Sequence, residues 1–386
     1  MFKIIFTFVP FIFALSLVPL FAKPAKLRKR NETAALAAFL ACASKFLGFR
    51  LLGGDAFAPE LPQPLIWFWN WVYSGMCILF ALSLALVPAR LAARRFFEKA
   101  STRRCWLVAL PAVALAASAV GVWNGLRPPG VTRFDLEFEN LPEELDGYRI
   151  VHITDIHASA ASRRWRTEAI VRAANSLDAD LICLTGDYVD GLSEDESRNL
   201  EPIAKLAAKD GVYAVAGNHE YYFDTLGWSK VYALWGIPFL HNSCVFPRPG
   251  LALSGVPDPA CTCANLPPPN PDKALSAATN GEFRILLQHR PYANYRELCG
   301  IDMSEKCDLQ LSGHTHGGIA PAMNLLVGQF NGGMVKGLYL GSDGRTIYVS
   351  QGAGQWAGFP IRFFNDPEIA EITLKKKKQR QVSVKW

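Results

Sequence analysis

"RIVHITDIH", residues 149–157, decides how the larger part of this 386-residue chain is read. Its apolar, β-branched first half predicts a buried strand, and its end carries two groups that bind protons and metals, Asp155 and His157. The pattern repeats downstream. "RTEAIVRAANSLD" has helical period, "LICLTGD" reads as a second strand ending at Asp187, and "NLEPIAKLAAKDG" reads as a helix closed by Gly211. "VYAVAGNHE" is then a third strand, ending at Asn218 and His219. The order βαβαβ predicts an α/β domain with a parallel sheet and helical crossovers. Carboxyl ends of parallel strands line the ligand crevice of such sheets, so the three polar ends are expected in one place.

The second half continues in kind. "FRILLQH" ends at His289, "DLQLSGHTH" ends at His314 and His316, and "GLYLGSDGRTIYVS" reads as a hairpin. Between the halves, "PDPACTCANLPPPNPDK" is rich in proline and small residues and reads as a surface loop. No internal repeat is visible.

The front of the chain is different. Half of all residues are hydrophobic, a high share for a soluble enzyme, and the excess lies before residue 127. Ile4–Ala22, Leu61–Ala89 and Cys105–Leu126 carry no charge over lengths that cross a bilayer, which takes about 20 apolar residues. A fourth segment, Thr33–Gly53, is weaker because it contains Lys45 and Arg50. The cluster "WFWNWVY", Trp67–Tyr73, suits the headgroup level.

Basic residues flank these spans unevenly. Lys23, Lys26, Arg28, Lys29 and Arg30 follow the first span, and Arg90, Arg94, Arg95, Lys99, Arg103 and Arg104 precede the last. Asp55 to Gln63 has acids and no base. Under the positive-inside rule both basic loops are cytoplasmic, which places everything after Leu126 on the periplasmic or extracellular side of a cytoplasmic (inner) membrane. An oxidising compartment would permit disulfides among Cys244, Cys261, Cys263, Cys299 and Cys307. The expected domains are a membrane region at 1–127, a catalytic domain at 130–374 and a basic tail at 375–386.

Five of the seven histidines, two aspartates and one asparagine fall at strand ends. His152 and His241 read instead as core residues. The mixed nitrogen and oxygen set suits Mn, Fe, Zn or Co, and the absence of thiolates argues against a closed structural zinc. With one histidine held back for catalysis seven ligands remain, too many for one ion and about right for two divalent ions that share a carboxylate. The spans show no carboxylate within the membrane, which disfavours a transporter, and no nucleic-acid or protein partner is expected.

Asp-x-His at 155 and 157, Gly-Asp at 186 and 187, Gly-Asn-His-Glu at 217–220, His289 and Gly-His-x-His at 313–316 resemble, in that order, the calcineurin-like metallophosphoesterases. The resemblance runs from about Tyr148 to Leu374 and is closest to the bacterial branch with amino-terminal membrane helices. It implies a four-layer α/β/β/α sandwich. It further implies one metal ion held by Asp155, His157, Asp187 and His316, and a second held by Asp187, Asn218, His289 and His314. His219 would contact the phosphate or protonate the leaving oxygen, with Glu220 orienting its ring. The implied reaction is in-line attack on a phosphoester by metal-bound hydroxide, which needs no Ser or Cys nucleophile.

Two features depart from that pattern. Ala158 stands where the family often has glycine, and Arg163, Arg164 and Arg166 follow, either as a solvated helix start or as a basic lip for an anionic headgroup. The tail "KKKKQR" could hold the domain against anionic lipid. Together with the membrane spans it favours a lipid-linked or membrane-adjacent substrate. The alternatives are a pyrophosphatase of the UDP-diacylglucosamine hydrolase type, which needs a cytoplasmic site, and an inactive scaffold, which would be expected to have lost ligands.

Overall fold

The computed structural model describes residues 45, 47–54, 57–93, 95, 100–279, 281–292, 305–341, 343–358 and 361–377. The first predicted span, the basic loop after it, most of the weaker segment and the end of the tail lie outside the described residues. The chain divides into two compact units, one of residues up to Leu126 with Trp356–Arg362, the other of Arg127–Gln355 with the residues from Phe363 on. Trp356–Arg362 lies inside the predicted catalytic segment yet groups with the amino-terminal helices.

In the first unit α1 spans Gln63–Ala85, α2 Val87–Ala92 and α3 Ala100–Leu126. Two helical stretches, Gln63–Ala85 and Val108–Leu126, are long and apolar enough to cross a membrane. Their contact uses a small residue and polar tips, as helix pairs do where hydrophobic exclusion gives no drive. Gly75 lets Leu115 come close. Trp71 Nε1 donates to Leu115 O at 2.8 Å, and Ser118 Oγ donates to Trp71 O at 2.7 Å. Part of the tryptophan cluster therefore serves helix packing rather than a headgroup belt.

The second unit runs β1 (Gly130–Phe138), β2 (Arg149–Ile153), α4 (Arg164–Asn175), β3 (Leu181–Thr185), α5 (Ser193–Leu200), β4 (Val212–Val215), α6 (Asn218–Tyr222) and α7 (Thr225–Trp235). It continues with β5 (Ser243–Arg248), β6 (Leu251–Gly255), α8 (Pro271–Leu275), β7 (Phe283–Leu287), β8 (Leu309–Ser312), α9 (Asn324–Phe330), β9 (Gly337–Leu340), β10 (Thr346–Val349) and β11 (Glu368–Lys376). One sheet has the order β1-β11-β2-β3-β4 and the other β5-β6-β7-β8-β10-β9. The expected βαβαβ is present, with β2, β3 and β4 paired in parallel.

Alternation along the strands builds the layers. Ile150, Leu181, Cys183 and Val215 face Leu253, Ile285, Leu309 and Leu311 of the second sheet in one buried cluster. Val151, Ile153, Ile182, Leu184 and Ala214 point the other way, onto Ile170, Val171 and Ala174 of α4 and Trp228 and Tyr232 of α7. On the far face of the second sheet Leu286 and Val256 pack with Ala274 and Leu275 of α8. Helix, sheet, sheet and helix follow one another, the four-layer α/β/β/α order that the family resemblance implied.

Several expectations change. Lys375 and Lys376 belong to β11, and Lys377 pairs with Glu139 at 2.6 Å, so the first three lysines of the predicted tail are part of the fold. Arg164 is tied to Glu168 and Glu201, and Arg166 is buried with Nη2 donating to Ala353 O at 3.3 Å. Neither is available as a basic lip. Among the described residues no disulfide joins Cys244, Cys261, Cys263 and Cys307, and Cys299 lies outside them. His152 is a core residue as read, with Nε2 2.7 Å from Thr185 Oγ1.

Candidate metal centre

Each strand delivers its candidate ligands through a turn immediately beyond its last paired residue, and the backbone there is unusual. Asp155, His157, Asp187, His314 and His316 have φ of 53°, 48°, 55°, 72° and 49°. Left-handed backbone is disfavoured for such side chains, costing on the order of 1–3 kcal/mol per residue where the region is sparsely populated. What over-determines it is a lattice of main-chain bonds between strand ends: Asp155 N–H to Gly186 O at 2.9 Å, His157 N–H to Asp187 O at 3.1 Å and Gly313 N–H to His289 O at 2.9 Å.

The strain turns the side chains toward one another. Asp155, His157 and His316 have ligand atoms mutually within 4.8 Å, and so do Asp187, His289 and His314. His157 Nε2 lies 3.1 Å from His316 Nε2, and His314 Nδ1 lies 3.2 Å from His289 Nε2. His289 Nε2 is 3.1 Å from Asp187 Oδ2. Asn218 stands beside them at the start of α6, buried, with Oδ1 lacking a hydrogen-bond partner.

The other ring nitrogens fix which atoms face inward. A carbonyl only accepts, so His289 Nδ1 donates to Thr185 O, 2.6 Å away, and its Nε2 points into the centre. His157 Nδ1 is held by Asp190 Oδ1 at 2.8 Å in the same way. Such partners are what orient histidine ligands in metal sites. An orphaned buried amide oxygen, imidazole nitrogens facing each other at 3.1 and 3.2 Å and two buried carboxylates between them fit divalent cations as their common partner.

Without a bound cation the charges of the centre act on one another. Burial pushes Asp187 up, but the charges of His289, His219 and His157 outweigh it and hold its carboxyl well below the usual range. Burial lowers His289, yet Asp187 prevails and raises it to about 10. His314 is pushed well down by burial and by the Arg290 and His289 charges. Loading must displace the His289 proton, so apparent affinity for Zn²⁺ or Mn²⁺ should rise with pH below about 10. One displaced proton corresponds to roughly tenfold per pH unit. Calorimetric titration in buffers of different ionisation enthalpy checks this; affinity that is flat from pH 6 to 9 would contradict it.

His219, the predicted non-ligand, is oriented by Asp190, whose Oδ1 is 2.6 Å from its Nδ1. Glu220 does not hold that ring as expected. Its carboxylate accepts from the backbone N–H groups of Gly217, Asp187 and Tyr188 at 2.7, 3.0 and 2.8 Å, splinting the β4 turn to the β3 turn. Burial followed by the Asp187 charge raises it to about 7. Asp190 is the residue that the strand-end reading missed. It is fully buried and shared by His157 and His219, and its one trace in the sequence is the spacing Asp-x-x-Asp from Asp187.

Gly313 shows how little slack the centre has. A Cβ there would collide with Thr154 Oγ1 and Asp155 Oδ2. Gly313→Ala should therefore cost metal affinity without removing a ligand, by about the 10–100-fold seen when a supporting contact is lost. Metal content after dialysis against a weak chelator reads this, and unchanged retention would show that the turn can yield.

A family model described as calcineurin-like phosphoesterase matches residues 148–318. The "Transmembrane protein with metallophosphoesterase domain" of Danio rerio is 34% identical over 278 residues, which cover 68% of this chain and 62% of that protein. An "Uncharacterized metallophosphoesterase" of Helicobacter pylori is 33% identical over 259 residues, 67% of each chain. A solved Haemophilus influenzae NAD nucleotidase matches 54% of this chain and 45% of its own at 16% identity and a TM-score of 0.36, too low to argue from. The chain belongs to the calcineurin-like metallophosphoesterases, a family of metal-dependent phosphoester hydrolases. It spans less than two thirds of the length of the zebrafish relative.

Proposed function

We propose that this chain is a membrane-anchored phosphohydrolase with a dinuclear centre. Asp155, His157, Asp187 and His316 would hold one ion, and Asp187, Asn218, His289 and His314 the other. The observation that carries the reading is that six of these residues form two ligand clusters, each with a buried carboxylate, while the buried Asn218 leaves its Oδ1 without a hydrogen-bond partner. Mn, Fe or Zn suits the donors. When bound, the ions supply charge neutralisation for phosphoryl oxygens and a more acidic water.

The chain's own groups do the rest. Burial lowers His219, but without a cation on Asp187 the charges of Asp187 and then Asp190 outweigh it and raise the ring to about 9, and the Asp190 contact is the part that a metal on Asp187 leaves in place. With Nδ1 held by Asp190, its Nε2 is the atom placed to give a proton to the departing oxygen. Asp190 keeps that ring and the His157 ring in one orientation.

The two apolar helices and the basic residues between them support anchoring, with residues from Arg127 on outside the cytoplasm. A phosphoester carried by, or lying close to, the bilayer is the substrate class that fits such an anchor. The test is turnover of p-nitrophenyl phosphate and bis(p-nitrophenyl) phosphate by the full chain in detergent, stripped by chelation and reloaded with Mn²⁺, Zn²⁺ or Mg²⁺. Activity that returns with metal supports the reading, and a chain that neither binds metal nor turns over either ester refutes it.

A further inference from the structure

The turn that carries His314 and His316 is flanked, among the described residues, by large exposed apolar side chains. On α9 Leu325 is 79% exposed and Phe330 74%, with Leu326 also exposed. On β9, an edge strand, Leu338 and Leu340 point outward. Phe364 is 85% exposed. Hydrogen bonds and close packing join these elements to the metal turn. Asn324, the first residue of α9, packs on Gly318, and Asn365 packs on Gly317. Phe363 N–H donates to Ile319 O at 2.9 Å, and Lys336 Nζ donates to Phe364 O at 3.1 Å.

Phe364 has a φ of 58° and Ile319 a φ of 63°. Left-handed backbone under an aromatic or β-branched residue is an outlier that needs compensation. A phenylalanine held in strained backbone and presented to water is the opposite of what stability alone selects. Scattered surface leucines need no explanation, but a strained aromatic beside four leucines and a second phenylalanine around one functional turn does.

Chain continuity names the occupant. Phe364 follows Arg362 by two residues, and Arg362 N–H donates to Gly121 O of α3 at 2.9 Å. Two residues reach at most about 7 Å. Gly121 is five residues from Leu126, the end of α3, and therefore about 8 Å along its axis from that end. If α3 crosses a bilayer, the covalent link alone keeps Phe364 within reach of that bilayer. The other link, Arg127–Pro129, is also short.

We propose that Leu325, Leu326, Phe330 and Phe364, with Leu338 and Leu340, form a rim that inserts into the lipid bilayer beside the metal centre, so that the centre takes phosphoesters at the membrane surface. This rests on the reading of α3 as a span. Aromatic and aliphatic side chains at the headgroup boundary bind by burying apolar area, which is the chemistry this rim offers. It gives the centre access to a headgroup phosphate without removing the lipid from the bilayer.

The test places p-benzoylphenylalanine at Leu326, Phe364, Val120 or Leu234 of the full chain in its membrane and identifies what each position captures on irradiation. Val120 lies on α3, and Leu234, 84% exposed on α7, is the control for simple exposure. Lipid adducts at Leu326, Phe364 and Val120 but not at Leu234 are expected. Adducts at Val120 with none at Leu326 and Phe364 would overturn the rim and leave the span standing. No lipid adduct at Val120 would remove the span, and the rim with it. A cross-link to a second copy of the chain at Leu326 or Phe364 would replace the bilayer by a dimer contact.

Discussion

Asp187→Asn in the full chain is expected to abolish metal-dependent phosphoester turnover, by about 10³-fold or more, because several kcal/mol of charge stabilisation are lost with the cations. The substitution is nearly isosteric and separates two jobs of one side chain. Asp187 Oδ1 accepts the His219 N–H at 2.9 Å, and an amide oxygen can continue to do so. Asp187 Oδ2, 3.1 Å from His289 Nε2, would be the atom shared by two ions in the proposed centre, and an uncharged amide there leaves the Asp187, His289 and His314 cluster without its carboxylate. The fold should survive, since the buried strand cores on either side are untouched. The check is metal content by elemental analysis, circular dichroism and turnover on the same sample. Wild-type turnover with two ions retained would mean that Asp187 bridges nothing.

The strand ends were legible because the chemistry is local. Apolar β-branched runs predict strands, and the polar residues after each run mark candidate ligands, so Asp155, His157, Asp187, Asn218, His289, His314 and His316 could be expected in one place before any geometry was known. Asp190 could not be separated in this way. It stands in "DYVDGLSEDE", where Glu194 and Asp195 face solvent and Asp187 and Glu196 are buried, and only folding shows that Asp190 is buried against two rings. Glu220 was placed next to the right residue with the wrong partner, because adjacency in sequence says nothing about which way two neighbouring side chains leave a helix turn. The parallel pairing of β1 with β11, Gly130 opposite Glu368, joins the two ends of the domain and leaves no local trace. For the same reason Lys375 and Lys376 read as tail: their place in a strand depends on a partner far away in sequence. The left-handed backbone at the ligands was equally invisible, since neither aspartate nor histidine announces it as glycine does.

His219 and Asp190 should fail together, and in a way that depends on the leaving group. If His219 protonates the departing oxygen, His219→Gln removes the general acid, worth about 10²–10⁴-fold on an alkyl phosphoester whose alkoxide needs a proton. On p-nitrophenyl phosphate, whose leaving group departs readily as an anion, the loss should be far smaller. Asp190→Asn should reproduce the same selectivity, since its carboxylate, 2.6 Å from Nδ1, sets the ring's orientation and raises its basicity. Asp190 also holds the His157 ring, so this variant should lose metal affinity in addition. Excess metal would restore that part and leave the acid defect. With metal saturating, the double variant should be little worse than the weaker single one, an interaction of about 1–3 kcal/mol in the cycle. Equal losses on alkyl and aryl esters would show that His219 binds phosphate rather than donating a proton. Additive losses would show that Asp190 and His219 act apart, and that the carboxylate serves the metal ligand alone.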